Sequence, residues 1–285
     1  MKLVQALAVG IGALLLFQCR IASAQASTQS VPQPYPAVTI GGSQIRAMKS
    51  ASTGRDYGLY IHLPSHYGQD KAKKYPVLYI LDGQWDFKLM DSVLGGLVYD
   101  KFVPEMILVG ISYSGEKPDY DGLRAMDYTP VAAPDKKGSG DGPKFFRFLK
   151  TELIPFIEAN YQADPQHRIL QGSSLGGLFT LYSMFTEPGL FSAYVAASPA
   201  VSYGNDFNFI QEAEYARTHK DLPVKLYLAV SEFEELNAPV KNFMQMLRSR
   251  GYQGLKLETR VIEGERHASN KPEVYNRGLR FAFSE

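Results

Sequence analysis

The sequence predicts an α/β protein: a mostly parallel central sheet, antiparallel strands at its N-terminal end, and helices on both faces. Three observations carry this. Continuous apolar runs that stop at turn residues, such as "YPVLYILDG" (75–83) and "MILVGISY" (106–113), suit strands buried on both faces. Segments with apolar residues at helical spacing separate such runs, as βαβ units require. Two earlier segments, "SQIRAMKS" (43–50) and "DYGLYIHLP" (56–64), alternate apolar and polar residues, as half-exposed antiparallel strands do.

The elements follow in order. After the strand at 75–83 comes a helix, "WDFKLMDSVLGGLVYDKF" (85–102), with Gly95-Gly96 as a weak point. The strand at 106–113 leads into a long polar stretch, 114–142, read as a loop and a candidate lid. "PKFFRFLKTELIPFIEANY" (143–161) is an amphipathic helix that Pro155 should kink. A short strand "HRILQ" (167–171), a helix stopped by Pro188-Gly189 (176–188) and a strand "AYVAASP" (193–199) come next. The chain closes with strand 224–232, helix 238–251 ending at Gly251, strand 255–264 and helix 271–285. Together 38–285 make one expected catalytic domain.

The N-terminus reads as a processing segment. Lys2 precedes an apolar run at 3–17, and Ala22-Ser23-Ala24 supplies a small-residue cleavage pattern, so 1–24 is expected to be a signal peptide. The run is shorter than the ~20 residues that span a bilayer, which disfavours a membrane anchor. Residues 25–37, rich in Ser, Gln and Pro, form an expected flexible leader. The expectation is an exported protein, periplasmic or secreted. Cys19 is the single cysteine and would leave with the signal, excluding thiol catalysis, disulfides and cysteine metal sites in the remainder. The full chain has 30 basic and 29 acidic residues; without Lys2 and Arg20 the balance is 28 to 29, net −1. That gives no electrostatic reason to expect nucleic-acid binding.

One motif carries chemistry. "QGSSLGGLF" (171–179) contains G-x-S-x-G, a pattern that arises by accident in about one chain in ten of this length. Here it lies between a strand and a helix, the context of a nucleophile elbow. Gly172 and Gly176 are each two residues from Ser174, so Ser174, not Ser173, is the candidate nucleophile. A side chain at either glycine is expected to clash where strand and helix pack. The bland reading is a small-residue turn.

A serine hydroxyl needs a base, oriented by a carboxylate, and in this fold the order is Ser, acid, His. His62, His66 and His167 precede Ser174, and His219 sits at a polar helix end, leaving His267 after the last strand. The acid should follow strand 224–232, where Glu232, Glu234 and Glu235 compete; Glu234, in the turn before the next helix, is favoured. Backbone N–H groups must hold the oxyanion: Leu175, which opens a helix, and Gln84, in the loop after the third strand. Gly83 should let that loop turn tightly and place Trp85 beside the site, unless Trp85 merely packs a helix N-terminus.

The segments "YPVLYILDG", "LRAMDYTP" (123–130), "FLKTELIPFIEANY" (148–161), "RILQGSSLGGLFTLY" (168–182) and "FSAYVAASPA" (191–200) resemble the esterase D-like, or Putative esterase, family of α/β-hydrolases. With the acid and His segments the resemblance covers roughly 43–283. It implies the α/β-hydrolase fold and a serine esterase that needs no metal or cofactor. The exported domain and R-x-x-D-Y-T-P are most similar to the periplasmic siderophore esterases, which implies that Arg124 points into the cleft and contacts substrate. The alternative is that Arg124 simply pairs with Asp127. The elbow departs from the family in one place: Ser173 stands where His is more common.

The expected function is therefore carboxylic ester hydrolysis on a small-molecule substrate, with siderophore trilactone or catecholate-type esters first. An acyltransferase or a feruloyl- or acetyl-type esterase would use the same residues. A non-catalytic binding protein on a hydrolase fold is the alternative of another class.

Overall fold

The computed structural model describes residues 38–134 and 136–284. The expected signal peptide and leader lie outside the described residues.

Two antiparallel strands come first, β1 (Ser43–Lys49) and β2 (Asp56–His62). They are followed by β3 (Tyr75–Ile80), α1 (Gly83–Tyr99), β4 (Ile107–Tyr113), α2 (Tyr120–Tyr128) and α3 (Gly142–Phe148). Next are α4 (Ile154–Asn160), β5 (Ala163–Ser173), α5 (Leu175–Thr186), β6 (Ala193–Ala197) and α6 (Tyr203–Thr218). The chain ends with β7 (Lys225–Ser231), α7 (Asn237–Arg250), β8 (Lys256–Ile262) and α8 (Lys271–Ala282). The strands make one sheet in the order β1-β2-β4-β3-β5-β6-β7-β8. β2 joins β4 antiparallel, and every later pairing is parallel. This is the α/β-hydrolase fold, with the antiparallel edge where the alternating segments placed it.

The strand patterns follow from burial. β4 and β6 are buried along their whole length, which is why they read as unbroken apolar runs. One face of the sheet packs against α1 and α8 through Phe87, Met90, Val274 and Leu279. The other packs against α3, α4, α5 and α7 through Phe145, Ile157, Leu178 and Phe243. Phe148 stacks on Tyr57 of β2 with ring centroids 4.3 Å apart, tying α3 to the sheet.

Two expectations need correction here. The stretch 114–142 is not all loop, because α2 lies inside it, started by Asp119, whose side chain accepts a bond from the Gly122 N–H at 3.0 Å. A nine-residue helix shows only about two and a half turns of periodicity, too few to stand out within a long polar stretch. Gly95 and Gly96, in turn, do not interrupt α1, and a Cβ at either would meet nothing within 4 Å.

The kink at Pro155 takes a specific form. Between α3 and α4 the chain forms a π-helical stretch, Leu149–Leu153, and the Ile154 N–H reaches back five residues to the Leu149 carbonyl. Proline has no N–H to offer and its ring crowds the carbonyl four residues before it, so the preceding turn widens.

Candidate active site

Ser174, Glu234 and His267 come together at the C-terminal end of the parallel strands, where this class of sheet places its sites. Ser174 joins β5 to α5 with φ 60° and ψ −118°, a strained backbone for a residue with a Cβ. Its N–H donates to the Ala197 carbonyl at 3.0 Å, and its carbonyl accepts from the Ala200 N–H at 3.1 Å. The end of β6 therefore clamps the turn on both sides.

The glycines around it act differently from one another. A Cβ at Gly172 would sit 2.4 Å from the Gly176 carbonyl oxygen, an impossible contact. A Cβ at Gly176 would lie 3.4 Å from its nearest neighbour, ordinary van der Waals distance, so the expected clash does not arise there. Gly177 is the second tight position, because its Cβ would stand 2.9 Å from Pro199 Cα. The strand-to-helix approach is close at Gly172 and Gly177, while Gly176 faces Leu81 and Asp82 with room to spare.

The three glutamates separate by their partners. Glu234 Oε2 accepts from His267 Nδ1 at 2.6 Å, and its Oε1 accepts from the Ser231 N–H at 2.6 Å and from Ser198 Oγ at 2.5 Å. Glu232 turns the other way and accepts from the Gly264 N–H at 2.8 Å, bracing the turn after β8. Glu235 lines the cleft without a hydrogen bond or ion pair to its carboxylate among the described residues. Burial disfavours the Glu234 carboxylate, but the bonds from His267, Ser198 and Ser231 outweigh it and hold its carboxyl below the ordinary range.

Ser174, Leu175, Glu234, His267 and Arg124 line one cleft of about 780 Å³, together with Lys136, Tyr203, Phe233 and Arg266. Ser174 and His267 share this cleft but are not hydrogen-bonded to each other. Gln84 and Trp85 are not part of the lining. Leu175 and Gln84 each lie in the first turn of a helix, α5 and α1, so their N–H groups have no carbonyl partner within the helix.

The loop after β3 turns for a reason other than the one expected. The left-handed residue is Asp82, at φ 57°, and not Gly83. Gly83 is needed because a Cβ would lie 2.7 Å from the Gly110 carbonyl carbon of β4. Asp82 is held in place by Arg124, whose Nε and Nη2 donate to its two oxygens at 2.8 and 2.7 Å. Burial pushes the Asp82 carboxyl up, and the guanidinium opposes that shift.

The alternative pairing of Arg124 with Asp127 is excluded. Asp127 accepts instead from Arg55 Nη1 at 2.8 Å and Tyr57 Oη at 2.7 Å, on the side of α2 that faces β2. Trp85 is 46% exposed and packs on Tyr120 and over the Arg124 guanidinium, 5.6 Å from its ring centre. Arg124 thus braces the loop that carries Gln84 while also facing the cleft.

Three polar residues at the site carry no sequence signal of their own: Ser198, Ser231 and Asn270. They come from the turn after β6, the end of β7 and the start of α8, and meet behind Glu234. No spacing in the sequence relates them.

Residues 50–232 match the family model described as Putative esterase. The chain belongs to that family. This esterase is 30% identical over 266 residues to the ferri-bacillibactin esterase BesA of Bacillus subtilis (strain 168), covering 86% of this chain and 91% of BesA. It is 34% identical over 144 residues to the apo-salmochelin esterase of Escherichia coli O6:H1, covering 47% and 44% of the two chains. Among solved structures it resembles the BES protein from Bacillus cereus, with a TM-score of 0.79, 27% identity and coverage of 88% and 98%. It also resembles an IroE-like serine hydrolase from Shewanella oneidensis, with a TM-score of 0.74, 25% identity and coverage of 84% and 79%. The protein is a carboxylic ester hydrolase.

Proposed function

We propose that this esterase hydrolyses siderophore esters through a serine acyl-enzyme, with Ser174 as nucleophile, His267 as base and Glu234 as the acid that orients it. The observation that carries the reading is the Glu234–His267 contact of 2.6 Å in a cleft shared with Ser174. Glu234 Oε2 accepts from His267 Nδ1–H, so the imidazole keeps its proton there and presents Nε2 as the free base.

Ser174 Oγ attacks the ester carbonyl carbon while His267 Nε2 takes its proton. The carbonyl oxygen becomes an oxyanion that receives the N–H groups of Leu175 and Gln84, helped by the N-terminal dipole of α5. The C–O bond then breaks, and His267 returns the proton to the leaving alkoxide. Water repeats the sequence on the acyl-enzyme, releasing the acid and restoring the serine.

Two supports favour a siderophore substrate. The relatives above are named for ferri-bacillibactin and apo-salmochelin. The cleft is lined by the apolar surfaces of Tyr203, Phe233 and Leu236 beside Lys136 and Arg266, with Arg124 paired to Asp82 at its edge and Glu235 facing the same space, which suits a bulky aromatic ester with polar groups. The signal-like pattern at 1–24 supports export, to be tested by N-terminal sequencing of the protein recovered outside the cytoplasm.

The direct test has two arms. A p-nitrophenyl ester should be turned over by the wild type and not by Ser174→Ala; equal rates would overturn the nucleophile. A catecholate trilactone should be opened stepwise to linear products with a higher kcat/KM than a simple acetate ester. Preference for the acetate would remove the siderophore assignment and leave the esterase. Product analysis with an alcohol acceptor present separates hydrolysis from acyl transfer.

A further inference from the structure

We infer that Asn270 and Ser198 are positioning residues that act through Glu234, forming a hydrogen-bond chain whose direction keeps the acid ionised and the imidazole proton on Nδ1. This rests on the proposed roles of Ser174, His267 and Glu234.

The direction of each bond follows from what its ends can do. Ser231 Oγ lies 2.9 Å from the Arg266 carbonyl, which can only accept, so the Ser231 hydroxyl proton points there. Ser198 Oγ lies 2.5 Å from Glu234 Oε1, and the ionised carboxylate can only accept, so the Ser198 proton points to it. Each hydroxyl has one proton. Both therefore turn lone pairs toward Asn270, and the group they meet must be a donor. The Asn270 amide nitrogen supplies it, with two hydrogens, at 2.8 Å from Ser198 Oγ and 2.6 Å from Ser231 Oγ.

The chain thus runs from one amide in two directions. Through Ser198 it reaches the acid. Through Ser231 it reaches the carbonyl of Arg266, the residue just before His267, and so anchors the loop that carries the base. The Ser231 N–H adds a third donor to Glu234. Asn270, Ser198 and Ser231 are fully buried, so no water competes for these bonds. Ser198 has φ 42°, a strained value for a residue with a Cβ, held while its hydroxyl meets Glu234. A carboxylate whose every bond comes from a donor cannot take up a proton cheaply, and it accepts from Nδ1–H in the one orientation left to it.

Three variants test this: Ser198→Ala, Asn270→Asp and the two combined, assayed on a p-nitrophenyl ester with Ser174→Ala in parallel. Ser198→Ala removes one bond to a charged group and should lower kcat by about tenfold with KM unchanged. Asn270→Asp replaces the donor with an acceptor, draws the Ser198 proton away from Glu234, and should lower kcat by at least as much. The combined variant should be no worse than about the weaker single, because both changes act on one carboxylate.

Multiplying losses in the double variant would mean independent structural damage and overturn the proposal. So would an unchanged kcat, or a change confined to KM, in Ser198→Ala. If Asn270→Asp does not fold, Ser198→Ala decides alone, since it removes the same O–H from Glu234. Activity surviving in Ser174→Ala would instead defeat the underlying mechanism, and the two failures are therefore distinct.

Discussion

The candidate nucleophile turn and the loops that carry Glu234 and His267 stand at the same end of the sheet and hold their side chains in different ways. Ser174 is fixed by its own neighbourhood: a strand that ends, a helix that begins, and small residues that let the two approach. Glu234 is fixed by residues from elsewhere, namely Ser198 after β6, Ser231 at the end of β7, Asn270 before α8 and His267 after β8. A strained turn constrains the residue types within a few positions of it. A hydrogen-bonded carboxylate constrains groups that are close only after the sheet has formed.

The largest expected effect tests whether the two regions act as one machine. Ser174→Ala and His267→Ala should each lower kcat by about 10⁴-fold or more, and the double variant should be no slower than either single. Losses that multiply would show that the two residues do not share a step.

The next effect falls on the acid side alone. Glu234→Gln keeps the shape but accepts fewer charge-assisted bonds and should cost about 10³-fold in kcat. Glu235→Gln and Glu232→Gln should stay within about twofold, since the first makes no bond to His267 and the second braces Gly264. A thousandfold loss in either would move the acid.

On the elbow side the effect is on stability. Gly172→Ala should destabilise the fold by about 3 kcal/mol, because its Cβ meets backbone that cannot move aside. Gly176→Ala should cost less than about 1 kcal/mol in the same chemical denaturation experiment. Equal costs would mean that the symmetric motif, and not the asymmetric packing, governs the turn.

The smallest effect is a pH dependence. The Glu234 carboxyl is held below its ordinary value of 4.5 in the folded protein. The unfolded chain then binds the proton more readily, so this group's stabilisation is complete above the ordinary carboxylate range and is lost as pH falls through and below it. The drop in denaturant midpoint from pH 7 to pH 4 should be smaller in Glu234→Gln than in the wild type. An identical drop would place the acid sensitivity in other carboxylates.

Much of this was legible in the sequence. The buried strands, the antiparallel edge, the helix before Pro188 and the strand–turn–helix setting of the candidate elbow all follow from local pattern. The helix α2 was not, because nine residues repeat their apolar face over only about two and a half turns. The choice of Gly177 over Gly176 as the second tight glycine was not, because it depends on where Pro199 lies. The partner of Arg124 was not either: three residues of separation suggested Asp127, and the sheet supplied Asp82 from 42 positions away.

By itself the sequence determined the class of fold and narrowed the candidate nucleophile, acids and bases to a short list, because hydrophobic period and turn chemistry act between neighbours in the chain. The tertiary structure alone decided which glutamate meets His267, which residues stand behind it, and that Arg124 braces the loop after β3. Those choices belong to loops brought together by the parallel sheet, and side-chain hydrogen bonds a few ångströms long leave no periodic trace in the chain that makes them.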